Sequence, residues 1–215
     1  MKLAFIGGTG PEGMGLALRF AKAGHEIIIG SRQAERAQEA ARAIRERVPN
    51  ARAAGCLNHE AAREGEVVFL TVPYQGQRET LPPLREALDS KVIVDTIAPL
   101  HFDKGTASAL PVEEGSAAEQ AQKLVPEGRV VGSFHNLSAR ELANLDHSLE
   151  GDVIVVSDDK EAKQLVMELA RQLSGVRAVD GGRLANARYV ENLTALLLNI
   201  NRIYKANTTI KVVGI

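Results

Sequence analysis

Residues 5–32 read FIGGTGPEGMGLALRFAKAGHEIIIGSR, and this stretch decides the fold. Its apolar start reads as a buried strand, GMGLALRFAKAG as a helix stopped at Gly24, and HEIIIGS as a second strand. Gly8, Gly10 and Gly13 satisfy G-x-G-x-x-G between the first strand and the helix. In that pattern Gly8 permits the tight turn, Gly10 admits the backbone to a pyrophosphate, and Gly13 lets helix and strand pack closely. The helix start, with Pro11 and Glu12, offers unpaired amides and a positive dipole end to phosphates, and Thr9 adds a hydroxyl. Glycines alone also describe an ordinary turn. Strand, helix and second strand in this order point to a dinucleotide.

The end of the second strand selects the nucleotide. An NAD site places Asp or Glu there to hold the ribose hydroxyls and repel a 2′-phosphate. This chain has GSRQAER instead. Ser31 is placed to hydrogen-bond a phosphate and Arg32 to pair with it, with Arg36 one helical turn further on. Two arginines on a charged helix can equally face water; the missing acid favours NADP.

Beyond this core, short apolar runs continue to alternate with helices. QAERAQEAARAIRERV reads as a charged helix, ARAAGC as a weak strand, and a short helix begins near Asn58. EVVFLTVP, the helix-like QRETLPPLREAL and KVIVDTIAP follow. Such alternation with unbroken Val/Ile strands predicts an α/β fold, a Rossmann-type doubly wound, mostly parallel sheet. Residues 100–128 read as a surface loop followed by the helix SAAEQAQKLV. RVVGSFH, DVIVVSD and VRAVD read as extra C-terminal strands on the same sheet, with the helices KEAKQLVMELARQL and NARYVENLTALLLNINRIYKA. The division expected is an NADP-binding Rossmann domain over residues 1–128. Residues 129–215 then form a C-terminal extension that completes the sheet and an acceptor cleft.

Composition narrows the partners. A net charge of −1 gives no electrostatic reason to expect nucleic acid or an anionic membrane. Tryptophan is absent and aromatics are 4%, which argues against base-stacking platforms. LTALLLNI is about half the ~20 residues of a membrane span. Cys56 is alone and a strand follows Met1 without a signal-like segment, so the expected location is the cytoplasm.

The histidines offer limited chemistry. His135, in GSFHNLSA after a strand, belongs either to a ligand site at the sheet's carboxyl edge or to packing. His101 has the same options with less support, His25 reads as structural, and His59 and His147 carry no signal. None has metal-site spacing and Cys56 lacks a partner, so no metal is expected. No Tyr-x-x-x-Lys pair stands ready to protonate a carbonyl, and Lys163 reads as a solvated charge. Reduction of a ketone or imine would need a placed proton donor, whereas exchange with a second hydride carrier needs only stacked rings.

FIGGTGPEGMGLALRFAKAGHEIIIGSR, LTVPY, GSFHNLSARELANLD and ENLTALLLNI together resemble the coenzyme F420-dependent NADP reductase family. The resemblance covers almost the whole chain. It implies a small cytoplasmic homodimer that passes hydride between NADPH and the deazaflavin coenzyme F420, ring to ring, with no side chain as acid or base. By matching motif it implies that Thr9, Ser31, Arg32 and Arg36 hold NADP and that Val72 and Pro73 lie along it. Ile97, Ala98 and Pro99 would wall the rings, and His135, Leu137 and Thr194 would approach the deazaflavin. Asp95 and Thr96 depart from it, standing where more apolar residues are expected. Two other readings of the same cleft are an NADPH-dependent flavin or quinone-type reductase and a non-catalytic NADPH-binding redox module. The apolar residues of VENLTALLLNINRI cover more than one helical face, which requires either central burial or a second subunit.

Overall fold

β1 (Lys2–Ile6) is the central strand in a computed structural model that describes residues 1–215. α1 (Pro11–Lys22) returns the chain to β2 (Glu26–Ser31), and α2 (Ala34–Arg47) leads to β3 (Arg52–Leu57). α3 (Asn58–Glu64) and β4 (Val67–Leu70) cross to the other side of β1. The stretch read as one helix before β5 (Val92–Asp95) is three pieces: α4 (Tyr74–Thr80), a 3₁₀ turn at Pro82–Leu84 and α5 (Arg85–Leu88). Pro82 and Pro83 lack the N–H that a continuous helix needs.

The surface loop expected after residue 100 begins as an antiparallel hairpin, β6 (Leu100–Asp103) with β7 (Thr106–Ala109). Lys104 and Gly105 both take positive φ at its tip, as a tight hairpin turn requires. Its strands are mostly exposed, so no apolar alternation announced them. α6 (Ala117–Leu124), β8 (Arg129–Gly132), α7 (Ala139–Ala143), β9 (Gly151–Val155), α8 (Lys160–Arg171), β10 (Val176–Asp180) and α9 (Ala187–Tyr204) complete the chain.

Six strands form one parallel sheet in the order β3-β2-β1-β4-β5-β8, a Rossmann arrangement. β8 joins it, but β9 and β10 do not, contrary to the expectation of extra strands on the same sheet. They pair in parallel with each other and touch the main sheet by an antiparallel bridge between Gly132 and Val156. Along each central strand the side chains alternate between two cores. Leu3, Phe5, Val67 and Phe69 point to one; Ala4, Ile6, Val68 and Leu70 point to the other. Phe5 stacks on Phe69 with ring centroids 4.7 Å apart, and Phe20 and Phe134 close around them. Burying one such ring contributes roughly 1.5–3 kcal/mol, so this cluster anchors α1 and the segment after β8 to the sheet. The order reverses at β1, between β2 and β4, leaving a crevice outside the carboxyl ends of the strands.

Candidate active site

The turn after β1 opens that crevice. Gly7, rather than Gly8, carries the left-handed conformation, with φ +71°, and its amide donates to Asn58 Oδ1 at 3.1 Å. Gly8 is required for packing: a Cβ there would lie 2.6 Å from Phe5 Cβ. Gly13 is packed as expected, for its Cβ would meet Gly8 Cα and Thr71 Oγ1, each at 2.8 Å. At Gly10 a Cβ would touch nothing within 4 Å. No intramolecular contact demands that glycine, which fits a backbone left bare for a ligand. Gly10 is also the N-cap of α1 and provides no side-chain hydrogen bond, so the first-turn amides keep their capacity for an anion.

Thr9 is half-buried in the turn and Pro11 is exposed at the helix start. Glu12 sits in the same first turn with Oε1 shielded and unpartnered; desolvation pushes its carboxyl up to about 8. Val72 packs against Gly7, which places the segment after β4 beside the glycine turn, with Pro73 exposed next to it. The end of β2 is tied to the same turn through the Gly8 amide, which donates to the Gly30 carbonyl at 3.0 Å. Ser31 is buried there and its Oγ accepts from the Gln33 amide at 3.2 Å. Arg32 and Arg36 stand exposed at the start of α2. The glycine turn, Ser31 and the two arginines thus follow the carboxyl ends of the neighbouring strands β1 and β2.

At the ends of β5 and β8 lies a second group. The Thr96 hydroxyl donates to the Leu70 carbonyl at 3.0 Å and ties the ends of β4 and β5 together. Ile97 and Pro99 are buried and Ala98 is half-buried; the Pro99 carbonyl accepts from Leu110 at the base of the hairpin. Thr194 on α9 donates to the His135 carbonyl at 2.9 Å, which brings together two residues distant in sequence. Leu137 is buried and lines a hollow of about 370 Å³ with Ser138, Glu141, Asn207 and Thr209.

The His135 side chain turns inward. It is 5% exposed, neither ring nitrogen has a hydrogen-bond partner, and desolvation lowers its pKa to about 3. Beside it lie two carboxyls, Asp95 and Glu191, with ligand-type atoms of all three residues within 4.8 Å of one another. Asp95 Oδ1 accepts from the Ile97 amide at 2.9 Å and Oδ2 from Gln77 Nε2 at 2.6 Å. Gln77 is held in turn by Gln120. Glu191 accepts from the Ala117 and Ala118 amides at the start of α6, at 2.8 and 3.1 Å. Burial raises both carboxyls, Glu191 to about 7 and Asp95 well above the ordinary range, with Glu191 adding to the effect on Asp95. Sequence reasoning missed Glu191, Gln77 and Gln120 and noted Asp95 only as a departure. A charged residue among the apolar positions of VENLTALLLN was the available signal. Cys56 offers no thiolate, since burial, then Glu60 and Glu64, push its thiol up to about 11.

Fold, glycine turn and basic edge define a Rossmann-type dinucleotide-binding protein. The family described as NADP oxidoreductase, coenzyme F420-dependent, matches residues 2–99. F420-dependent NADP reductases of Methanothermobacter marburgensis and Methanocaldococcus jannaschii are each 42% identical to the chain. The alignments cover 94% and 97% of this chain, and 92% and 96% of those proteins. The chain belongs to the F420-dependent NADP reductase family. Its structure is similar to that of a putative F420-dependent NADP-reductase from Arthrobacter sp. FB24, with TM-score 0.85, 26% identity and full coverage of both chains. A Streptomyces aurantiacus imine reductase, at 19% identity and TM-score 0.61, covers 95% of this chain and 62% of that one, and shares the fold.

Proposed function

We propose that this protein is an oxidoreductase that exchanges hydride between NADPH and coenzyme F420. The observation that carries the reading is 42% identity over nearly full length to reductases named for both carriers. The chain's own residues fit the first carrier: the bare backbone at Gly10, the uncapped start of α1, and Ser31, Arg32 and Arg36 in place of an acidic residue after β2. Ser31 and Arg32 bind the 2′-phosphate, Arg36 adds positive charge, and the turn from Gly8 to Gly13 binds the pyrophosphate. Val72, Pro73, Ile97, Ala98 and Pro99 wall the rings and exclude water. Thr194 holds the His135 backbone, and with it the wall that ends at Leu137.

The two bound carriers supply the hydride chemistry, and the protein supplies position and a dry surface. No side chain gives or takes a proton in that step. Support for this comes from the burial of the His135 ring, which presents neither nitrogen to solvent. Residues 1–128 serve the nucleotide and residues 129–215 complete the acceptor cleft. No helix is long and apolar enough to cross a membrane, and the proposed setting is the cytoplasm. The proposed assembly is a homodimer through α9, supported by a line of exposed apolar side chains there that includes Tyr189, Leu196 and Ile203.

Anaerobic mixing of the protein and NADPH with F420, FMN and a quinone in parallel tests the assignment. Loss of F420 absorbance with little flavin or quinone reduction is the expected result. Rapid flavin or quinone reduction without F420 turnover would instead assign a related reductase. No turnover with any acceptor, despite tight NADPH binding, would leave a redox module.

A further inference from the structure

We propose that Asp95, His135 and Glu191 form a binding site for one divalent first-row transition-metal cation. The three come from separate parts of the chain: the end of β5, the segment after β8 and the start of α9. Their candidate ligand atoms nonetheless lie within 4.8 Å of one another, and all three side chains are buried. Atoms so spaced leave a position within about 2.8 Å of all three, and small side-chain shifts bring this to the ~2.0–2.2 Å of Zn–N and Zn–O bonds.

The imidazole points specifically to a ligand. A buried polar group without a partner is costly, and His135 leaves both nitrogens in that state. Two carboxyls face it, and their hydrogen-bond donors are Gln77, the Ile97 amide and the amides of Ala117 and Ala118, with no ammonium or guanidinium group among them. Two acidic groups placed together in a dry interior repel each other, Arg188 offsetting this only in part at Glu191, and a divalent ion between them turns the repulsion into attraction. The donors orient the carboxylates without exhausting them, because each oxygen retains a second lone pair. Gln77, itself fixed by Gln120, is the kind of outer hydrogen bond that holds a metal ligand in place. One imidazole with two carboxylates suits Zn²⁺, Mn²⁺ or Fe²⁺ better than a soft, thiolate-seeking ion.

The site joins α9 and α6 to the sheet edge, so occupancy ties the C-terminal helix to the core. It does not depend on which acceptor the enzyme uses. The test therefore omits NADPH and F420. The full chain, stripped with EDTA, is titrated with Zn²⁺ and with Mn²⁺ in competition with a chromophoric chelator, and its thermal unfolding is recorded with and without metal. One equivalent bound per chain and a raised Tm are expected. His135→Ala, Asp95→Asn and Glu191→Gln should each weaken binding at least tenfold and abolish the Tm rise. Gln77→Ala should weaken it less, and His147→Ala, on the surface, should leave it unchanged. Circular dichroism verifies that each variant is folded, and the near-isosteric Asp95→Asn and Glu191→Gln guard against loss of fold. No binding by the parent protein, equal binding by folded Asp95→Asn and Glu191→Gln, or loss of binding in His147→Ala overturns the site.

Discussion

Gly10 and Gly13 belong to one loop, yet a methyl group at each would meet opposite surroundings. At Gly10 it enters open space on ordinary extended backbone, φ −77° and ψ 165°. Gly10→Ala should therefore keep its unfolding free energy within about 0.5 kcal/mol of the parent. Its NADPH affinity should fall, as titration of nucleotide fluorescence would reveal. At Gly13 the methyl group presses on the Gly8 backbone, and Gly13→Ala should lose about 1–3 kcal/mol in urea unfolding. Equal stability of the two variants would contradict this division of roles. Arg32 is the complementary case, a surface side chain that costs little to remove. Arg32→Asp should raise the KM for NADPH about 10- to 100-fold, the worth of a charged hydrogen bond, while that for NADH stays nearly unchanged. Steady-state kinetics with both nucleotides decide the point.

Elements owe their places to a few side chains that reach between them. Buried Arg19 on α1 donates to the carbonyls of Leu142, Glu141, Asn144 and His147, which fixes the ANLD segment after α7 against the Rossmann core. α8 is fixed differently. Its N-cap Asp159 accepts from the Ala162 amide at 2.9 Å and is paired with Arg129, at the start of β8, through contacts of 2.7 and 2.9 Å. The Arg129 hydrogen bond holds this carboxyl down at about 2. An unfolded Asp titrates near ~3.9, so the pair's contribution is complete above about pH 4 and disappears as pH falls toward about 2. Asp159→Asn retains a capping side chain but removes the charge. Compared with the parent, the variant should have a lower urea midpoint at pH 7 and a gap that closes between pH 4 and pH 2. A gap independent of pH would remove Arg129 from the explanation.

At the scale of the molecule, α9 faces two ways. Val190, Glu191, Ala195 and Leu197 are buried, while Leu196 is 55% and Ile203 71% exposed. Tyr189, Leu196 and Ile203 recur every seven residues and so share one face of the helix. In the proposed dimer that face is covered. Sedimentation should give twice the mass of one chain for the parent protein and a single mass for Leu196→Glu combined with Ile203→Glu. A parent protein that sediments as a monomer would end the dimer proposal.

Local sequence was sufficient for the strands and the first helices of the Rossmann core because these elements are set by neighbours along the chain. Alternating apolar runs, the glycines after β1 and the absent acid after β2 are all contiguous signals, and the resemblance to the F420-dependent family rested on such motifs. The hairpin at Leu100–Ala109 escaped because exposed strands carry no apolar period, and β9 and β10 left the main sheet because partner choice is made across space. The meeting of Asp95, His135 and Glu191 was likewise decided only in three dimensions. Each carries at most a local signal of its own and none that points to the other two, and only the packing of α9 and α6 against the ends of β5 and β8 takes all three from water into one interior.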